Sequence, residues 1–131
     1  MKRSVVFSTV FAFLTLLSLN APAQTRIRVK FPVGTHGTSV KGTCRGYAYR
    51  DYLLRVSAGQ AVNISLTASE PATVFSIVTP EGGELQEASE TTSYSGTLIT
   101  SGDYRIRVLM MRSAARRKGS ITNFTLKMSA K

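Results

Sequence analysis

The sequence predicts an all-β fold, an antiparallel β-sandwich of about eight short strands. Three observations carry that expectation. Beyond residue 24 the apolar residues recur mainly at period two, as in Ile27, Val29 and Phe31 or Tyr104, Ile106 and Val108. Turn-forming clusters such as Ala58-Gly59-Gln60, Pro80-Glu81-Gly82-Gly83 and Ser101-Gly102-Asp103 separate these runs. No amphipathic helical pattern of useful length appears among them. A small closed barrel built from the same strands is the alternative.

The first 23 residues read as a secretory signal peptide. Lys2 and Arg3 form a basic start, Val5 to Leu19 is almost wholly apolar, and Ala21-Pro22-Ala23 offers small residues at the cleavage positions. A spanning helix needs about 20 apolar residues, so a stable membrane anchor is not expected. Residues 24–131 then form a single domain, long enough to fold around its own core without metals or disulfides. Cys44 is the sole cysteine and reads as a small buried apolar residue in a strand, which suits a periplasmic home better than a disulfide-dense extracellular one. Without Lys2 and Arg3 the chain keeps fifteen Lys and Arg against seven Asp and Glu, a net charge of +8. The cations cluster between Arg26 and Arg55 and between Arg105 and Lys131, whereas most acids lie between Glu70 and Glu90. Such segregation favours an acidic partner.

Taken in order, Arg26 to Phe31 alternates cleanly and ends at Pro32 and Gly34, a first strand whose outward cations suit a sheet edge. Gly34 to Thr38 is a loop carrying the only histidine, His36, with no second ligand nearby. Val40 to Gly46 is a short strand in which Gly42 and Gly46 mark a bend or a close approach. Tyr47 to Ser57 follows, with Tyr52, Leu54 and Val56 inward and the register of Tyr49 to Asp51 left open. The turn at 58–60 and the strand Ala61 to Thr67 read with it as an antiparallel hairpin. Glu70-Pro71 breaks the chain, Thr73 to Val78 supplies Phe75 and Ile77 to the core, and 85–92 is irregular or weak strand. Tyr94 to Ile99, Tyr104 to Met111 and Ile121 to Ser129 complete the strands.

The inventory for catalysis is poor. One His and one Cys lie in unrelated segments, and there is no nucleophile elbow, zinc-protease helix or phosphate-cradling loop. Asp51, Asp103 and the Glu70 to Glu90 group form no evident carboxylate pair, and Asp103 reads as a turn residue. No metal or other cofactor is expected, and the acidic segment lacks a calcium-loop pattern. Export and the lack of a recognition helix or aromatic RNA-binding motif argue against nucleic acid. The triplets at Asn63 and Asn123 fall inside expected strands and read as chance. What remains is the loop after Met111, with Arg112, Arg116, Arg117 and Lys118 and no acid near them in sequence. Arg112 and Arg116 are four apart and share a face, so two guanidinium forks could each grip a carboxylate. A merely solvated charged loop fits the pattern equally.

Gly42, Gly46, Asp51-Tyr52, Ala58-Gly59-Gln60, Ser101-Gly102-Asp103-Tyr104, Ile106-Arg107-Val108 and Phe124-Thr125-Leu126 resemble the spaced pattern of bacterial pre-peptidase C-terminal-type β-sandwiches. The run Arg107-Val108-Leu109-Met110-Met111-Arg112-Ser113-Ala114-Ala115-Arg116-Arg117 is similar to the signature of the periplasmic inhibitors of goose-type lysozyme. That resemblance implies a periplasmic protein that is not an enzyme and that plugs the lysozyme's substrate cleft. It implies partner contacts at Arg112 and Arg116 and at Tyr49 of the Gly46 to Tyr52 segment; Arg117, the next cation of the run, is a further candidate. Tyr47, directly after Gly46, departs from the family pattern, so Tyr47 and Tyr49 are both candidates. The reading from another class is a periplasmic module that binds an anionic glycan such as peptidoglycan through the same cations. Pairing into a homodimer through an edge strand is open.

Overall fold

The computed structural model describes residues 25–131, so the expected signal peptide lies outside the described residues. Eight strands run β1 Thr25–Arg28, β2 Gly37–Arg45, β3 Arg50–Val56, β4 Gln60–Ala68, β5 Thr73–Val78, β6 Ser93–Leu98, β7 Gly102–Met110 and β8 Ile121–Ala130. They form two four-stranded sheets, ordered β1-β3-β7-β5 and β2-β8-β4-β6. The all-β sandwich expected from the alternation is what the chain forms. Pairing is antiparallel throughout except for β1, which runs parallel to β3 with Ile27 opposite Tyr52.

Odd-numbered strands make one sheet and even-numbered strands the other, so every connection crosses from sheet to sheet. This corrects the hairpin expected of β3 and β4. The 57–59 turn is an arch, with Gly59 in the left-handed region at φ 90°. Its amides bond across to the β6–β7 connection and the end of β6, Ala58 N–H to Ser101 Oγ at 2.7 Å and Gly59 N–H to the Leu98 carbonyl at 2.7 Å. The inward faces themselves fall as expected. Tyr52, Leu54 and Val56 from one sheet, Val62, Ile64 and Leu66 from the other, and Phe75, Ile77, Ile106, Val108, Phe124 and Leu126 are buried in one core. Ile27, Val29 and Phe31 pack against it although the strand stops at Arg28.

One further expectation changes, and the irregular character expected of 85–92 is what the chain shows. Asp103 lies within β7, not in a turn, and accepts two 2.9 Å hydrogen bonds from Arg28, pinning the edge strand β1. The 85–92 stretch holds a 3-10 turn at Gln86–Ala88 and, through a bridge of Thr91 to Phe75, covers the free side of β5. Cys44 is buried and unbonded to any other cysteine, and burial pushes its thiol pKa up.

Apart from the 79–92 segment, which runs back along β5, the connections lie at the two ends of the sandwich. The β2–β3, β4–β5 and β7–β8 connections meet at one of them. Gly46 N–H bonds to the Ser120 carbonyl at 3.0 Å, Met111 N–H to that of Ala72 at 2.9 Å, and Ser69 N–H to that of Asn123 at 2.9 Å.

Candidate functional site

The β7–β8 connection is anchored, not free. Immediately after β7, Arg112–Ala115 makes one helical turn, α1, ended by Arg116. Ala114 and Ala115 are buried against Met110, with Ala72 of the β4–β5 connection packed alongside. The return path is tied as well, since Ser120 Oγ donates to the Ala115 carbonyl at 3.0 Å. A pair of small apolar residues inside a run of cations is the local reason: Ala fits under the turn and favours helix, while the arginines on either side stay in water. Arg112 and Arg116 are exposed, and the Arg116 N–H bonds to the Arg112 carbonyl at 3.1 Å. That i, i+4 relation in helical backbone sets both side chains on one face.

Among the described residues neither Arg112 nor Arg116 has an acidic partner within 4 Å, whereas Arg117 has Glu70 at 3.4 Å. The sequence showed no acid near this loop, because Glu70 arrives from a different connection. Glu70 is itself oriented by the Ala72 N–H, 3.3 Å from its Oε1. The pair sets Arg117 apart from the two unpaired arginines.

Tyr47 and Tyr49 sit in the adjoining β2–β3 connection. Gly46, at φ 55°, turns the chain in the left-handed region, and the Ala48 N–H closes the turn on the Arg45 carbonyl at 3.0 Å. Tyr47 is 63% exposed, with its ring in solvent. Tyr49 is half-buried, its ring centroid 4.2 Å from the guanidinium carbon of Arg107. Arg50 pairs with Val108 in the β3–β7 register, so Tyr49 lies level with the last residues of β7, just before α1. All five candidate residues therefore share one end of the sandwich. A cleft of about 340 Å³, lined by Thr25, Thr43, Cys44, Arg45, Ala48, Tyr49 and Arg50, opens beside them.

Sequence reasoning missed the residues beneath Tyr49. Asp51 projects to the outer face of its sheet yet is only 1% exposed. It accepts hydrogen bonds from Arg107 Nε at 2.8 Å and Nη2 at 3.0 Å, and Arg105 lies 3.9 Å away. The bond to Asp51 raises the Arg107 pKa further above its ordinary value. Asp51 and Arg107 are 56 residues apart, and only the register of β3 against β7 brings them opposite each other. An isolated Asp followed by alternating apolar residues was the one available signal.

What the end of the sandwich offers chemically is recognition. Among the described residues no three His, Cys, Asp or Glu side chains gather to hold a metal, and no helix is long and apolar enough to cross a membrane. Two unpaired arginines on a pinned turn, flanked by tyrosines, are suited to grip carboxylates on another molecule.

No family model matches the chain. An inhibitor of g-type lysozyme from Escherichia coli K12 is 28% identical over 120 residues, covering 89% of this chain and 90% of that protein. The crystal structure of a periplasmic inhibitor of g-type lysozyme from Aeromonas hydrophila matches with a TM-score of 0.70 at 28% identity, covering 82% of this chain and 96% of that one. The fold is shared also with the Salmonella Typhimurium periplasmic inhibitor of g-type lysozyme, with a TM-score of 0.67 at 24% identity over 83% of this chain and all of that one. The chain is thus similar, across most of its length in both sequence and fold, to the inhibitors of g-type lysozyme.

Proposed function

We propose that the chain is a periplasmic inhibitor of goose-type lysozyme that is exported through a cleaved signal peptide over residues 1–23 and occludes the enzyme's substrate cleft. The observation that carries this reading is the α1 turn. It presents Arg112 and Arg116 unpaired and on one face, at the end of a sandwich similar to proteins that inhibit g-type lysozyme. An enzyme that cuts a glycan strand holds carboxylates in its cleft, one of them the general acid. A guanidinium inserted there pairs with them, and a tyrosine fills a sugar subsite. Arg117, tied to Glu70, acts at the rim. Tyr49 and Tyr47 flank the arginines, Tyr49 held and Tyr47 free.

The test is a turbidity assay of cell-wall lysis by goose-type, chicken-type and invertebrate-type lysozymes, titrated with the purified chain. Inhibition of the goose-type enzyme alone, saturating near one to one, is expected. Failure to inhibit any of the three, together with salt-sensitive binding to isolated peptidoglycan, would assign the same cations to an anionic glycan instead.

A further inference from the structure

The Asp51, Arg107 and Tyr49 side chains form a stack that neither the sandwich core nor the arginine turn requires. Asp51 points away from the core but is almost fully buried, with Arg107 bonded to both of its oxygens and Arg105 close by. Two parallel hydrogen bonds fix the plane of a guanidinium as well as its position, which a point-charged ammonium cannot do. That same guanidinium lies 4.2 Å from the centre of the Tyr49 ring, within stacking range. Tyr49 precedes the first ladder residue of β3, so the strand alone does not hold it.

We propose that Arg107 is a positioning residue: clamped by Asp51, it fixes the Tyr49 ring in the orientation in which Tyr49 meets the partner enzyme. This rests on the reading above that Tyr49 contacts the lysozyme. A tyrosine ordered before encounter spares the complex the entropy of ordering it, and the gain shows as affinity. Arg107 need not touch the partner for its loss to be felt.

The experiment is a double-mutant cycle read as inhibition of goose-type lysozyme, with Arg107→Lys, Tyr49→Ala and the double variant. Arg107→Lys keeps a cation for Asp51 but has neither the fork nor the flat face. It is expected to retain a cooperative thermal transition, to weaken inhibition by about five- to tenfold, and to have no further effect once Tyr49 is Ala. A purely structural role would give additive losses in the two backgrounds. A readout without lysozyme accompanies the cycle: in the wild-type protein the Arg107 side-chain protons are expected to be shifted upfield by the Tyr49 ring current, and Tyr49→Ala is expected to remove the shift. If Arg107→Lys fails to fold, Arg107→Gln takes its place in the cycle, and absence of the ring-current shift in the wild-type protein overturns the proposal. Additive losses, or wild-type inhibition by Arg107→Lys while Tyr49→Ala is weakened, also overturn it and leave the inhibitor reading standing. If Tyr49→Ala inhibits normally while Arg112→Ala does not, the positioning role falls alone. If the wild-type protein inhibits no lysozyme, both fall.

Discussion

Arg112 and Arg116 differ from every other basic residue at their end of the sandwich in having a shared helical face and no acid partner. Buried arginine anchors dominate protein interfaces, so truncation of either to Ala is expected to weaken inhibition by about 2 kcal/mol, roughly 30-fold. Titration of lysis gives that number directly. Arg117→Ala is expected to weaken it by less, because its side chain is engaged with Glu70 on the surface, where such pairs contribute about 1 kcal/mol or less. Gly42 has a different task. A Cβ there would sit 2.6 Å from Phe124 Cζ and 2.7 Å from the Tyr52 hydroxyl, and the two rings already meet edge to face at 6.1 Å between centroids. Gly42→Ala is therefore expected to lose about 1–3 kcal/mol in urea unfolding, as overpacked cores do.

At the scale of elements, Asp103 adds to the β3 ladder and the packing of Ile27 in holding the edge strand β1. The Asp103 carboxyl is held below the ordinary range first by the Arg28 hydrogen bond and then by the charges of Arg28 and Arg55. A carboxyl depressed in the folded state stabilises at pH above its unfolded value of about 3.9 and loses that contribution as pH falls through the depressed one. The protection factors of the β1 amides, taken relative to the intrinsic exchange rate at each pH, are thus expected to fall modestly as the solution is acidified below about pH 4, and Asp103→Asn is expected to show the lowered protection already at neutral pH. The strands themselves were legible in the sequence to within a few residues. Inward faces such as Tyr52, Leu54 and Val56 follow from period-two alternation alone. Their assignment to sheets was not, since an inward face reads the same whichever sheet carries it; hence the apparent hairpin at 58–60. The α1 turn was half visible. Its arginine spacing stood out, but the burial of Ala114 and Ala115 depends on Ala72, which comes from another connection.

Over the whole molecule, the return of the 79–92 segment along β5 is what brings the β7–β8 connection to the same end as β2–β3 and β4–β5, and with them all five candidate residues. Sequence located those residues but could not pair Arg117 with Glu70 or set Asp51 under Arg107, because both contacts are made across long separations by the folded register. The rigid framework beneath the site implies that its variants lose binding without losing the fold. The most direct measurement is lysis by goose-type lysozyme in the presence of the wild-type chain and of the Arg112→Ala/Arg116→Ala double variant, with the thermal unfolding of each recorded alongside. Inhibition by the wild type near one to one, abolished in a double variant that unfolds at an unchanged temperature, is the expected result. Undiminished inhibition by that folded double variant would contradict a site built on the α1 turn.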